Sequence, residues 1–119
     1  GAVRVYPRFF SAESEMLALR HPYVGTEHFF LAYLKKYDNE YINYEEFKKY
    51  MVEIIGSSYK ESEYILYTPL LRKIVNESKN EKEAILKILS DDDAIAYNIL
   101  LSKNYDIETI YLNILNSMY

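Results

Sequence analysis

A helical spacing of apolar residues restarts several times along this chain, each time behind a residue suited to cap a helix. Its plainest instance follows Asn43, where Phe47, Tyr50, Met51, Ile54 and Ile55 fall at i, i+3, i+4, i+7 and i+8. That spacing lays a stripe along one side of an α-helix and matches neither face of a strand. Asn43 and Glu46 stand at the two positions of a capping box, and Gly56 is a suitable C′ stop. The device returns near the end, where Asp106 precedes Ile107, Ile110, Tyr111, Ile114 and Leu115 at the same intervals.

The rest of the chain reads the same way. Pro7 fits a first helical position and opens a helix over roughly Arg8–Arg20, which His21-Pro22 ends because a residue before proline is driven from the α region. Thr26 is expected as an N-cap, with Glu27 in the first turn and Phe29, Phe30, Tyr33 and Leu34 on one apolar face. Thr68-Pro69 supplies a cap and an N1 proline for a helix to about Lys79, and Asn80 caps Glu81–Leu89. Ser90 with Asp93 suggests another start, carrying Ala94, Ile95, Ile99 and Leu100 inward. No stretch alternates long enough for a strand. The expected fold is all-α, a compact bundle of about seven short helices.

Length and composition set the remaining bounds. The chain has 119 residues, half of them hydrophobic, enough for one domain (1–119) with a core of its own. It has no cysteine, which excludes disulfides, zinc-thiolate sites and cysteine nucleophiles and fits a cytoplasmic protein. Its longest apolar runs, such as Phe29–Ala32, fall far short of the roughly 20 residues that span a bilayer, and nothing at the start reads as a signal peptide. Net charge is −4 and the fourteen basic residues are scattered, which argues against a nucleic-acid partner. Gly1-Ala2 without an initiating methionine suggests a piece of a longer protein.

The chain also reads as a weak internal repeat. Tyr6-Pro7, Gly25-Thr26-Glu27-His28 and Phe47–Ile55 have counterparts in Thr68-Pro69, Asn80-Glu81-Lys82-Glu83 and Ile107–Leu115. Repeat one spans about 5–56, a polar linker about 57–66, and repeat two about 67–119, with pseudo-twofold packing expected.

The run from Tyr23 to Leu34, with Gly25-Thr26-Glu27-His28 at its heart, resembles a segment of the N-terminal domain of Clp-type AAA+ unfoldases. Tyr6-Pro7-Arg8 and Tyr67-Thr68-Pro69 are similar to the openings of that domain's two repeats, and Asp92–Leu100 followed by Asn104–Ile107 resembles the close of the second. The likeness spans nearly the whole chain in order and marks a divergent member. The first repeat lacks a helix between Leu34 and Ile42, and the helices after Pro7 and Pro69 look short. Asn80-Glu81-Lys82-Glu83 replaces the second Gly-Thr-Glu-His.

The resemblance implies a non-catalytic docking module for a Clp-type chaperone or protease. Its partners would be adaptor proteins, unfolded polypeptides or substrates tagged with phosphoarginine, with AAA+ ATPase modules in cis or in trans. Some bacterial members of the family bind phosphoarginine through the glutamate of each Gly-Thr-Glu-His. Here only Glu27 matches, beside Thr26, while Lys82 at the second position would repel a guanidinium. Tyr6, Thr26, Glu27 and Thr68 are the expected contact residues, in a groove between the repeats. A stand-alone regulatory or structural protein, acting through self-association or by binding an AAA+ partner, is the alternative.

Other constellations have plainer explanations. Thr26 and Glu27 are also a cap and a first-turn anion. His21 and His28, the two histidines, could share a helical face only without Pro22 and Gly25 between them, so a paired metal site is not expected. His28 is expected to pack in its first turn, and His21 to cap or solvate the end of the helix before it. Asn39, Asn43 and Glu46 imitate part of an EF-hand, but the first ligand position would be Lys35, which disqualifies Ca²⁺. Asp91-Asp92-Asp93 fits a solvated first helical turn, and the loop tyrosines are candidates for contact. No phosphate loop, serine-nucleophile motif or paired-carboxylate signature is present, so neither enzyme activity, cofactor nor metal is expected.

Overall fold

The computed structural model describes residues 10–57 and 65–118. These form α1 (Phe10–Leu19), α2 (Thr26–Lys36), α3 (Tyr44–Ile54), α4 (Pro69–Asn76), α5 (Glu81–Ile88), α6 (Ile95–Ser102) and α7 (Ile107–Leu115). Among the described residues there is no sheet, only one isolated parallel bridge between Val24 and Tyr67. The all-α expectation holds.

Four of the helix starts are closed as the sequence suggests. Asn43 accepts the Glu46 N–H at 2.8 Å, and Asn80 the Glu83 N–H at 2.8 Å. Thr68 accepts the Leu71 N–H at 3.3 Å, and Asp106 the Thr109 N–H at 3.3 Å. Each bond satisfies one of the amides that a helix leaves unpaired at its first turn.

Two expected starts are different. Gly25, not Thr26, is the N-cap of α2, which puts Thr26 one residue inside the helix. Ser90 and Asp93 do not open α6; its N-cap is Ala94, without a side-chain bond. The Asp91 carboxylate instead accepts the Asp93 N–H at 2.9 Å, closing a turn before the helix begins. Ile95 consequently faces outward, 42% exposed, and Ala96 takes the inward place.

The helix ends shift too. α4 stops at Asn76 rather than near Lys79, with the Ser78 N–H turned back to the Val75 carbonyl at 3.1 Å. α1 is ended one step before the His21-Pro22 pair. Arg20 takes a left-handed backbone (φ 58°), the Arg20 N–H bonds the Leu17 carbonyl, and the His21 N–H bonds the Met16 carbonyl, both at 3.1 Å. That is a Schellman closure with arginine where glycine is usual. Asn104 (φ 62°) closes α6 in the same manner.

α2 lies at the centre, packed against α1, α3, α5 and α6. Every residue from Thr26 to Leu34 is buried, so the expected single apolar face is corrected to a helix enclosed on all sides. Phe30 of α2 meets Phe47 of α3 edge to face, with ring centroids 4.9 Å apart, and both are fully buried. Met16, Met51, Ile85, Leu100, Ile110 and Ile114 extend the same core, each contributing about 2 kcal/mol of burial. α4 packs on α5, and α7 on α5 and α6.

The α1–α2 connection and the end of the α3–α4 connection meet at the bridge. The Val24 N–H donates to the Leu66 carbonyl at 2.7 Å, and the Thr68 N–H donates to the Val24 carbonyl at 2.9 Å. This sets the segment leading into α2 beside the segment leading into α4. Most of the expected linker, 58–64, lies outside the described residues.

Candidate functional site

Three of the four expected contact residues, Thr26, Glu27 and Thr68, lie within three residues of Val24 or Tyr67 along the chain. Thr68 caps α4 and donates its amide to Val24, two residues before Thr26. Thr26 is 3% exposed, and its hydroxyl accepts the Ala96 N–H of α6 at 3.3 Å. Its hydroxyl therefore ties the start of α2 to the start of α6. Tyr6 lies outside the described residues.

Glu27 is buried as well, at 4% exposure. Its side chain folds back over the helix start, where a Cβ placed on Gly25 would stand 2.0 Å from Oε1. Oε1 is buried with no hydrogen-bond partner among the described residues. Burial pushes the carboxyl up to about 7, against a smaller opposing effect from the residue's own backbone N–H. The carboxyl is thus packed inside the helix start and not displayed on the surface. Lys82, expected from the sequence at the matching place of a second repeat, bonds the Ser117 carbonyl at 2.8 Å and ties α5 to the end of α7.

The sequence reading missed a buried polar feature of the region. His21 is 2% exposed and His28 is 1% exposed, and their rings meet, with Nδ1 of His21 2.7 Å from Nε2 of His28. The Gly25 N–H bonds Nδ1 of His28 at 2.9 Å, and Nε2 of His21 lies 2.6 Å from the Gly56 carbonyl. A backbone N–H can only donate and a carbonyl can only accept, so the chain has one consistent direction. His28 receives from Gly25 at Nδ1 and donates from Nε2; His21 receives at Nδ1 and donates from Nε2 to Gly56. We assign both rings as neutral Nε2–H tautomers on that ground. Burial, with the His21 ring second, holds His28 far below the usual histidine range, down to about 3.

The expectation that His21 caps or solvates the end of α1 is therefore corrected. The Arg20 reversal and Pro22 break the helical path between the two histidines, and the break itself folds His21 back onto His28. His28 also fills the N3 role of a capping box, its ring accepting the N-cap amide. A ring two positions after Thr26, behind a glycine cap, was the signal available in the sequence.

A second buried group sits where α1, α2 and α3 meet. Glu15 is 4% exposed, accepts the Tyr44 hydroxyl at 2.7 Å, and has Nζ of Lys35 3.7 Å away. Burial and the Glu15 carboxylate push the Tyr44 phenol well above its usual range. Glu45 and Glu46, beside Asn43, serve the start of α3, and Glu46 also accepts the Tyr105 hydroxyl. Glu15 and Tyr44 thus belong to the junction of α1, α2 and α3.

Beside the bridge the surface is apolar. Tyr23 is 51% exposed, Leu66 48% and Ile65 40%, immediately flanking the paired Val24 and Tyr67. A cleft of about 690 Å³ lies elsewhere, lined by Asp38, Glu40, Tyr41, Leu112, Asn113 and Met118 among others. It contains none of the expected contact residues. Among the described residues, no helix is long and apolar enough to cross a membrane.

No family model matches the chain, and a search of curated proteins finds no significant match.

Proposed function

We propose that this chain is a non-catalytic docking domain of the Clp N-terminal kind, holding adaptor proteins or unfolded polypeptide segments for a cytoplasmic AAA+ partner in cis or in trans. The observation that carries this reading is the seam at the Val24–Tyr67 bridge, where two helix starts are stitched together and Tyr23, Ile65 and Leu66 stay exposed beside them. Such a surface offers apolar area for a polypeptide, with a tyrosine that is apolar on its face and polar at its tip. The histidine pair supports binding over chemistry, because its two ends close on the backbone groups of Gly25 and Gly56.

While its carboxyl is seated over Gly25, Glu27 favours adaptors and unfolded segments over phosphoarginine. A guanidinium would need the carboxylate outside, and the carboxyl lies inside over Gly25.

Titrating the domain with an unfolded polypeptide, and separately with free phosphoarginine, while recording amide shifts tests the proposal. Shifts gathered on Tyr23, Val24, Leu66 and Thr68 support docking at the seam. Saturating polypeptide that leaves those amides unmoved overturns it.

A further inference from the structure

Glu27 occupies a seat that only a glycine at position 25 leaves open. The space for a Gly25 Cβ is taken by Oε1, 2.0 Å away, with the carboxyl carbon at 3.0 Å. Gly25 itself has an extended backbone (φ −117°, ψ −175°), which any residue can adopt. Glycine is therefore required here by the carboxyl of Glu27 and not by the path of the chain.

We propose that Glu27 is a two-position proton switch: protonated, its carboxyl lies over Gly25; ionised, it leaves that seat and brings a negative charge to the surface at the start of α2. The seat suits only the neutral form. Among the described residues Oε1 has no hydrogen-bond partner, and it is buried, a condition far more costly for a carboxylate than for a carboxylic acid. Outside, the charge meets water and the positive end of the α2 dipole, both of which favour it.

Among the described residues, the groups around the seat do not neutralise the charge. On α2 itself, Nδ1 of His28 is 3.8 Å from Oε1, but that nitrogen already accepts the Gly25 N–H. His21, after α1, lies on the far side of the His28 ring. From α6 the Ala96 N–H goes to Thr26 rather than Glu27. Lys35 and Lys36, at the other end of α2, are paired with Glu15 of α1 and Glu81 of α5. Among the described residues, no lysine or arginine lies within ion-pair distance of Glu27. Burial accordingly raises its carboxyl from an ordinary 4.5 to about 7. The switch holds whatever the domain binds.

The test is a pH titration of the whole chain, following glutamate side-chain carboxyl ¹³C shifts in the wild type and in Gly25→Ala. The wild-type Glu27 carboxyl is expected to titrate near 7, and in Gly25→Ala, with its seat filled, near the ordinary 4.5. Should Gly25→Ala fail to fold, the wild-type Gly25 and Thr26 amides decide, compared with Glu27→Gln. A step near pH 7 in the wild type that Glu27→Gln abolishes supports the switch. An ordinary Glu27 titration in the wild type, an unchanged midpoint in Gly25→Ala, or an amide step that persists in Glu27→Gln overturns it. Protonation of His28 in the same step also overturns it, because the pair would then hold the charge inside.

Discussion

Nδ1 of His21 and Nε2 of His28 stand 2.7 Å apart in the core, joining the end of α1 to the first turn of α2. Through Gly56 the same chain of bonds reaches the end of α3. Three helices are thus tied by two neutral rings whose proton positions are dictated by the backbone at either end.

His28→Ala removes the acceptor of the Gly25 N–H and the donor to Nδ1 of His21, and should cost about 1–3 kcal/mol for each bond lost. Chemical denaturation checks the loss, and long-range ¹H–¹⁵N spectra of the wild type should show both rings as Nε2–H tautomers. Acid acts on the same pair. His28 titrates near 3 when folded and near 6.5 when unfolded, so between those values the unfolded chain binds more protons. This contribution to stability is complete above 6.5 and is lost as pH falls toward 3, on the order of 3–5 kcal/mol in all.

Glu27 has the opposite sign. Its folded carboxyl holds a proton up to about 7 while the unfolded one releases it near 4.5, so the folded state binds more protons in that interval. Stability contributed by Glu27 therefore falls as pH rises from 4.5 to 7 and is level above. Glu27→Gln should match the wild type at pH 4 and exceed it at pH 8 by up to about 3 kcal/mol, as read from urea midpoints.

Arg20 is the one non-glycine left-handed residue between α1 and α2. Replacing it with glycine removes the steric cost of that conformation while leaving the Schellman bonds intact. Arg20→Gly should stabilise the protein by about 1 kcal/mol, visible as a higher melting temperature.

Much of the fold was legible because the chain announces its helices locally. Asn43, Thr68, Asn80 and Asp106 each act within their own first turn, and a cap followed by a helical stripe needs no distant partner. The departures arise where tertiary partners compete. Thr26 looks like a cap, but the Ala96 amide of α6 claims its hydroxyl, and Gly25 serves as the cap so that Glu27 can fold over it. Asp93 looks like part of a helix start, but the Asp91 carboxylate captures its amide in a turn. Thr26, Glu27 and Thr68 stand within three residues of the paired Val24 and Tyr67, but no local signal reveals that Glu27 points inward. The histidine pair escaped because its geometry depends on a chain reversal at Arg20, which carries no glycine to mark it.

The docking claim is tested most directly by the double variant Tyr23→Ser/Leu66→Ser, titrated with a fluorescent unfolded polypeptide and followed by anisotropy. Both side chains are about half exposed, so the variant should keep its melting temperature within a few degrees while binding weakens at least tenfold. Undiminished affinity in a folded variant would contradict the account, since the polypeptide would then be held somewhere other than beside Val24 and Tyr67.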